Sequence, residues 1–285
     1  MILQGAKIVL GVTGGIACYK AVDLCSKMVQ AGATVDVIMT DAATRFLTPL
    51  PFQTIAGRPV SVDMFRLLGE TDVSPCGSAA MAHIALSERA DVIVIAPATA
   101  NTIAKLAHGL ADNLLTCTVL ASRAPLVIAP AMNADMWASE ITQQNVHLLE
   151  ERGATIVGPD YGRLASGQVG AGRLAATDHI LGALRQVLGR NGPLACLRVT
   201  VTSGGTQEPL DPVRHLGNRS SGRMGYALAQ AARDRGAQVT LISGPTCLKP
   251  LYGVETIPIR TAGDMYEEVM GRLDGTDILI MAAAV

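Results

Sequence analysis

Charge is scarce in this chain. Only 16% of its residues are charged, and the net charge is −1. That leaves no basic stripe for nucleic acid and no cationic face for a membrane surface. Aromatic residues make up 3%, which argues against an aromatic-rich binding surface and suits parallel sheets built from Val, Ile and Ala. No apolar run reaches the ~20 residues needed to span a bilayer. The six cysteines, Cys18, Cys25, Cys76, Cys117, Cys196 and Cys247, form no C-x-x-C pair and no Cys/His cluster with zinc spacing. They read as reduced, buried thiols of a cytoplasmic protein, and no metal site is expected from them. The opening MILQGAKIVLGVTGG is apolar but lacks a basic start. It runs into a glycine turn instead of a cleavage site, so it does not read as a secretory signal.

Apolar residues are plentiful, at 49% of 285. That is enough chain for two domains of ~100–200 residues, each with its own core. Short Val/Ile-rich runs at 7–12, 34–39, 91–96, 125–129 and 154–157 are continuous, as expected of strands covered on both faces. Helix-compatible stretches at 16–31, 101–108, 112–122 and 133–152 lie between them. Gly32 and Gly153 sit where helices should stop. A segment with five glycines, 158–172, reads as a long loop, and long loops in compact domains are usually functional. After a helix at 178–188, the break Arg190-Asn191-Gly192-Pro193 has strong turn chemistry. The alternation then restarts, with strands at 197–202, 238–242, 254–258 and 277–281 and helices at 223–236 and 262–273. The expected fold is therefore α/β: two Rossmann-like, doubly wound parallel-sheet domains in tandem, spanning 1–190 and 191–285. VLGVTGG near residue 11 and VTVTSGGT near residue 201 repeat one fold logic. Because the chain stops just after a strand, where a ligand would be expected, the second domain reads as incomplete.

Gly11-Val12-Thr13-Gly14-Gly15-Ile16 follows a strand and opens a helix, where glycines and free N–H groups can take a phosphate. It lacks a clean G-x-G-x-x-G, and Asp36 is a poor candidate for an acidic ribose contact. A mononucleotide phosphate thus fits better than a dinucleotide. Two further segments, A-P-A-T-A-N-T at 96–102 and A-P-A-M-N at 129–133, lie at strand carboxyl ends, and the first carries small and hydroxyl side chains. Taken alone, Asn133 reads as a helix N-cap and His83 as an ordinary satisfied histidine.

Five segments together resemble the flavin-dependent cysteine decarboxylases. They are G-V-T-G-G-I-A-C-Y-K, the M-A-H-I-A-L around His83, A-P-A-T-A-N-T-I-A-K, P-A-M-N, and L-A-S-G-Q-V-G-A-G-R-L. The resemblance is specifically to the decarboxylase half of bifunctional phosphopantothenoylcysteine decarboxylase/phosphopantothenate–cysteine ligases, enzymes of coenzyme A biosynthesis. It implies FMN, with the phosphate near Gly14, Gly15 and Ile16 and with Thr40, Thr99 and Asn101 around it. It implies His83 as base or orienting group, Asn133 as holder of the substrate carboxylate, and the 158–172 loop as a cover. The implied chemistry oxidises the cysteinyl side chain to a thioaldehyde, which acts as the electron sink for CO2 loss; electrons then return from the flavin. Many members carry a cysteine acid in that loop, whereas this chain has Ser166. Either Ser166 relays a proton from water, another group donates, or the last reduction is slow.

The run G-G-T-Q-E-P-L-D-P-V-R-x-L-x-N-x-S-S-G-x-M-G, from Gly204, resembles the ligase half, which uses CTP and Mg²⁺ to activate 4'-phosphopantothenate for attack by cysteine. The resemblance places Asn218 at the acyl cytidylate and Ala283 and Ala284 along the nucleotide. Later acidic and lysine-containing segments of that half are not in the sequence, so ligation by these residues alone is not expected. The resemblance further implies a homo-oligomer, with trimers through the first domain and dimers through the second, acting on small molecules. Two other readings stand beside it: a related flavin decarboxylase or prenyltransferase with another substrate, and a flavin-binding subunit without catalysis.

Overall fold

The computed structural model describes residues 2–64 and 82–285. Cys76, and Met81 of the M-A-H-I-A-L motif, lie outside the described residues. The chain divides into two compact units, Met1–Val187 and Leu188–Val285.

In the first unit, β1 (Lys7–Val12), β2 (Thr34–Met39), β3 (Val92–Ala98), β4 (Leu126–Pro130) and β5 (Thr155–Ile156) form a parallel sheet in the order β2-β1-β3-β4-β5. The described helices are α1 (Cys18–Gln30), α2 (Asp41–Thr44), α3 (Leu50–Ala56), α4 (Ala82–Arg89), α5 (Ala100–His108), α6 (Leu114–Ala121), α7 (Ala134–Ala138), α8 (Glu140–Glu151) and α9 (Thr177–Gly189). The centre of the sheet is fully buried along β3, and Val9, Ile93, Ile95 and Ile128 join Ile103, Leu114 and Leu115 in one core. Residues covered on both faces need no alternation, which is why these strands read as unbroken apolar runs. Gly32 (φ 86°) and Gly153 (φ 89°) occupy the left-handed conformation just beyond α1 and α8, as a helix stop requires.

The sheet order reverses between β1 and β3. The chain moves outward from β1 to β2, then crosses back to β3, so their carboxyl ends diverge and leave a crevice. A single buried side chain ties the two ends together. The Thr13 hydroxyl donates to the Pro97 carbonyl (2.7 Å) and accepts from the Thr99 amide (3.1 Å). Thr13 is completely buried.

Three expectations need correction. The stretch 133–152 is not one helix: it breaks at Ser139 (φ −59°, ψ 130°) into α7 and α8. The Gln143 side chain takes up the Trp137 carbonyl (2.6 Å) freed by the break. The 158–172 segment is not an irregular loop but an antiparallel hairpin, β6 (Asp160–Arg163) with β7 (Val169–Arg173). The five described cysteines are free but not uniformly buried: Cys18 and Cys25 are buried, Cys117 is half-buried, and Cys196 and Cys247 are exposed. Burial alone pushes the Cys25 thiol up to about 11.

The second unit holds β8 (Arg198–Ser203), the hairpin β9 (Gln207–Pro209) and β10 (His215–Gly217), α10 (Arg223–Arg233), β11 (Gln238–Ser243), β12 (Glu255–Pro258), α11 (Ala262–Met270), and β13 (Ile278–Met281). Its four parallel strands run β12-β11-β8-β13, which puts the reversal of order between β8 and β13. Val199, Val201, Tyr226, Ala229 and Leu241 fill its core.

Replacing Thr13 by valine keeps the volume but leaves the Thr99 amide without its side-chain acceptor. The expected cost is about 1–3 kcal/mol, read as a lower urea midpoint with an unchanged m-value.

Candidate active site

The first crevice is a cavity of about 1060 Å³. Several segments wall it, among them the glycine turn, the stretches that begin at Thr40 and at Thr99, the one after β4 and the β6–β7 hairpin. The Gly14–Gly15 turn leaves β1 after Thr13. Gly14 is a glycine for packing reasons: a Cβ there would stand 2.5 Å from the Ala42 Cβ. Gly15 differs, since a Cβ there would meet only Thr99 Cγ2, at 3.7 Å, so its missing side chain leaves open space in the cavity wall.

Thr40 and Thr99 cap helices. Thr40 Oγ1 accepts from the Ala43 amide at the start of α2, and Thr99 Oγ1 from the Thr102 amide at the start of α5. Both open onto the cavity, as do Ile16 and Asn101. The amino ends of α1 and α5 therefore face one space, and their partial positive charge favours an anion there.

Further walls come from Ala131-Met132-Asn133 and from the β6–β7 hairpin. The two are joined. The Met132 amide donates to the Gly172 carbonyl (3.0 Å). A Cβ on Gly170 would meet Ala134, and one on Gly172 would meet the Met132 carbonyl. The hairpin glycines are thus small because the loop after β4 lies against them. Asn133 is the N-cap of α7, its Oδ1 accepting from the Asp135 amide at 2.8 Å. Asn133 and Ser166 both reach the cavity.

His83 lies on α4 and is not among the cavity's walls. Its Nδ1 is buried and has no hydrogen-bond partner among the described residues. Asp36 is engaged elsewhere, within β2, by Arg58 Nε at 2.6 Å.

The basic residues of the cavity escaped the sequence reading. Lys20, Arg163 and Arg173 line it, and each sits among neighbours of ordinary surface composition. Burial first, and the Arg173 guanidinium second, hold the Lys20 ammonium below the usual lysine range, while Asp160 pulls the other way. Across the cavity wall, Lys105 pairs with Asp112 at 2.6 Å. Gln168 is a second omission. It binds Asn133, and only the folded hairpin brings it there.

In the second unit, Gly204 (φ 77°) and Gly205 follow β8. The Ala284 amide donates to the Gly204 carbonyl (2.8 Å), and the Thr206 amide to the Ala284 carbonyl (3.1 Å). Thr202 Oγ1 accepts from the amides of Ala282 and Ala283. A Cβ on Gly205 would lie 2.9 Å from the Asn218 carbonyl. The structure therefore gathers Asn218, Ala283 and Ala284 around one glycine turn at the strand-order reversal. Among the described residues, no group of three His, Cys, Asp or Glu side chains could hold a metal ion, and no helix is long and apolar enough to cross a membrane.

Two family models match in succession: Flavoprotein over residues 2–189, and DNA/pantothenate metabolism flavoprotein C-terminal domain over residues 194–285. The chain is 44% identical to the coenzyme A biosynthesis bifunctional protein CoaBC of Vibrio vulnificus strain YJ016, over 99% of its own length and 68% of that protein's. Among solved structures it resembles a mutant PPC decarboxylase complexed with pantothenoylaminoethenethiol, at 34% identity, a TM-score of 0.56, and coverage of 64% of this chain and 97% of the other. It also resembles the FMN-dependent cysteine decarboxylase SpaF, at 34% identity, a TM-score of 0.55, and coverage of 65% and 97%. The first family model covers the unit that contains the cavity, and the second covers the unit with the Gly204–Gly205 turn. This chain belongs to the family of coenzyme A biosynthesis bifunctional CoaBC proteins.

Proposed function

We propose that the first unit binds FMN and decarboxylates 4'-phosphopantothenoylcysteine to 4'-phosphopantetheine, and that the second unit contributes a CTP site to the joining of cysteine with 4'-phosphopantothenate. The observation that carries this is the meeting of the glycine turn, Asn133 and Ser166 on one cavity at the β1/β3 crevice. Its volume lies at the top of the range of roughly 300–1,000 Å³ usual for small-molecule sites. That leaves room for a flat cofactor and an elongated substrate together.

The residues fit the cofactor. The open space over Gly15 accepts a phosphate, and the amino ends of α1 and α5 favour its charge. Thr40, Thr99 and Asn101 line the adjoining wall. When bound, FMN supplies a two-electron acceptor that makes the cysteinyl side chain an electron sink. The protein's own part is orientation and proton handling. Asn133 has one carboxamide oxygen fixed by its cap and an Nδ2 with two protons, which suits a carboxylate acceptor. Ser166 brings a hydroxyl beside it to relay a proton to the enethiolate left after CO2 departs. Lys20, Arg163 and Arg173 give the cavity a cationic side for an anionic substrate.

His83, on α4, is not among the described residues that line this cavity. In our reading the protein is an oligomer, and His83 of a second copy completes the site. Mixing a His83→Asn protein with an Asn133→Ser protein, each strongly impaired alone, under conditions that exchange subunits, should then raise the activity above the sum of the two. A mixture no more active than that sum would remove the shared site.

In the second unit, Gly204–Gly205, Asn218 and Ala283–Ala284 would hold the CTP, with Mg²⁺ arriving on its phosphates.

The reading is tested by reconstituting the chain with FMN and following CO2 loss from 4'-phosphopantothenoylcysteine by mass spectrometry. A colourless protein that takes up no FMN would overturn it. Gly15→Val should weaken FMN binding about tenfold or more, ~1.4 kcal/mol, in a fluorescence titration, with unfolding unchanged. Asn133→Ser retains a good N-cap but loses the amide donor. Its kcat/KM should fall about 10–100-fold, matching the ~1.5–3 kcal/mol of a hydrogen bond to a charged group, while stability barely moves. Ser166→Cys replaces an alcohol with a thiol of pKa ~8.5 and should raise turnover. Unaltered turnover would show that this proton transfer is not limiting.

A further inference from the structure

Gln168 sits at the turn of the β6–β7 hairpin, two residues after Ser166, and no expectation gave it a role. The turn is closed by the Leu164 amide on the Gln168 carbonyl (2.8 Å) and the Gly167 amide on the Leu164 carbonyl (3.0 Å). Gly167 takes φ 87°, a left-handed conformation that few other residues adopt cheaply. This geometry turns the side chains of Ser166 and Gln168 toward each other.

Four polar contacts then converge. Gln168 Oε1 accepts from Asn133 Nδ2 at 2.6 Å and from Ser166 Oγ at 3.3 Å. Gln168 Nε2 donates to Asp135 Oδ2 at 3.4 Å. Asn133 Oδ1 accepts from the Asp135 amide at 2.8 Å. The orientation of the Asn133 carboxamide is therefore decided at both ends. Its oxygen faces a donor and its nitrogen faces an acceptor, so a flip of the amide would break both bonds. One Nδ2 proton is used by Gln168, and the second remains for a ligand. Asn133 and Ser166 line the cavity whereas Gln168 does not. Gln168 accordingly braces the two side chains from outside the wall they form.

We infer that Gln168 is a positioning residue. It holds the Asn133 amide with its nitrogen available to a carboxylate and keeps the Ser166 hydroxyl next to it, acting through them without touching substrate. This rests on the reading that Asn133 and Ser166 serve decarboxylation. The backbone bonds close the tip on itself but do not tie it to α7, so the Gln168 side-chain bridge from the tip to the α7 cap is what sets the spacing of the two groups.

The test uses the full chain with FMN, comparing Gln168→Ala, Asn133→Ser and the double variant. Gln168→Ala should leave FMN affinity unchanged and lower kcat/KM about tenfold, as expected for one lost hydrogen bond of this kind. In the Asn133→Ser background the same change should cost less than about twofold, because the residue it positions is gone. Amide hydrogen exchange should rise at 164–168 and at 133–137 in Gln168→Ala. Equal losses in both backgrounds, or full activity in Gln168→Ala, would overturn the assignment. So would unchanged exchange in both segments. If the parent protein fails to decarboxylate while exchange still rises in both segments, the decarboxylase reading fails and the brace itself survives.

Discussion

A buried threonine hydroxyl at the end of the first strand holds each of the two sheets together where its strand order reverses. In the first unit Thr13 spans from β1 to the Pro97 carbonyl and the Thr99 amide after β3. In the second, Thr202 at the end of β8 takes the Ala282 and Ala283 amides after β13. Diverging strand ends leave backbone groups that no ladder can satisfy, and burying them unpaired is costly. One hydroxyl with both donor and acceptor capacity resolves this without filling the crevice. The glycine turn that follows can then face a ligand. The two units share this device within different strand orders, which gives the likeness between VLGVTGG and VTVTSGGT a physical meaning.

In the first unit the chemistry depends on how the hairpin is seated. Gly170 and Gly172 let β7 lie against the loop after β4, and Asn133 and Ser166 meet as a result. Asn133 shows that a bland role and a functional one need not compete. Its oxygen caps α7, and that cap is what orients its nitrogen. The same holds for Thr40 and Thr99, each a helix cap whose position also places it on the cavity. Capping costs these residues nothing in function, because the cap uses one polar atom and leaves the backbone turn open to the crevice.

The interior of the fold was legible beforehand because burial on both faces leaves a mark on local sequence. The runs at 7–12 and 34–39 match β1 and β2 end to end. Glycines in the left-handed conformation marked the ends of α1 and α8. The hairpin at 158–172 was not legible. Five glycines erase the two-residue alternation, and its partner surface lies on the loop after β4. The break at Ser139 was hidden for a related reason: the composition on both sides favours helix, and the side chain that satisfies the broken turn, Gln143, comes from the next helix.

What the sequence determined by itself was the α/β class, the restart near residue 190, the glycine turns and the motifs of the family, because each is written in neighbouring residues. Tertiary structure alone decided which of those motifs share a space. It set Asn133 beside Ser166 through Gln168 and gave the cavity its cationic side. His83, on α4, is not among the described residues that line that cavity. The physical reason is that these groups are far apart along the chain. Their separation in space is fixed by strand order, by the seating of one hairpin and by a few side-chain bonds, none of which has a local signature.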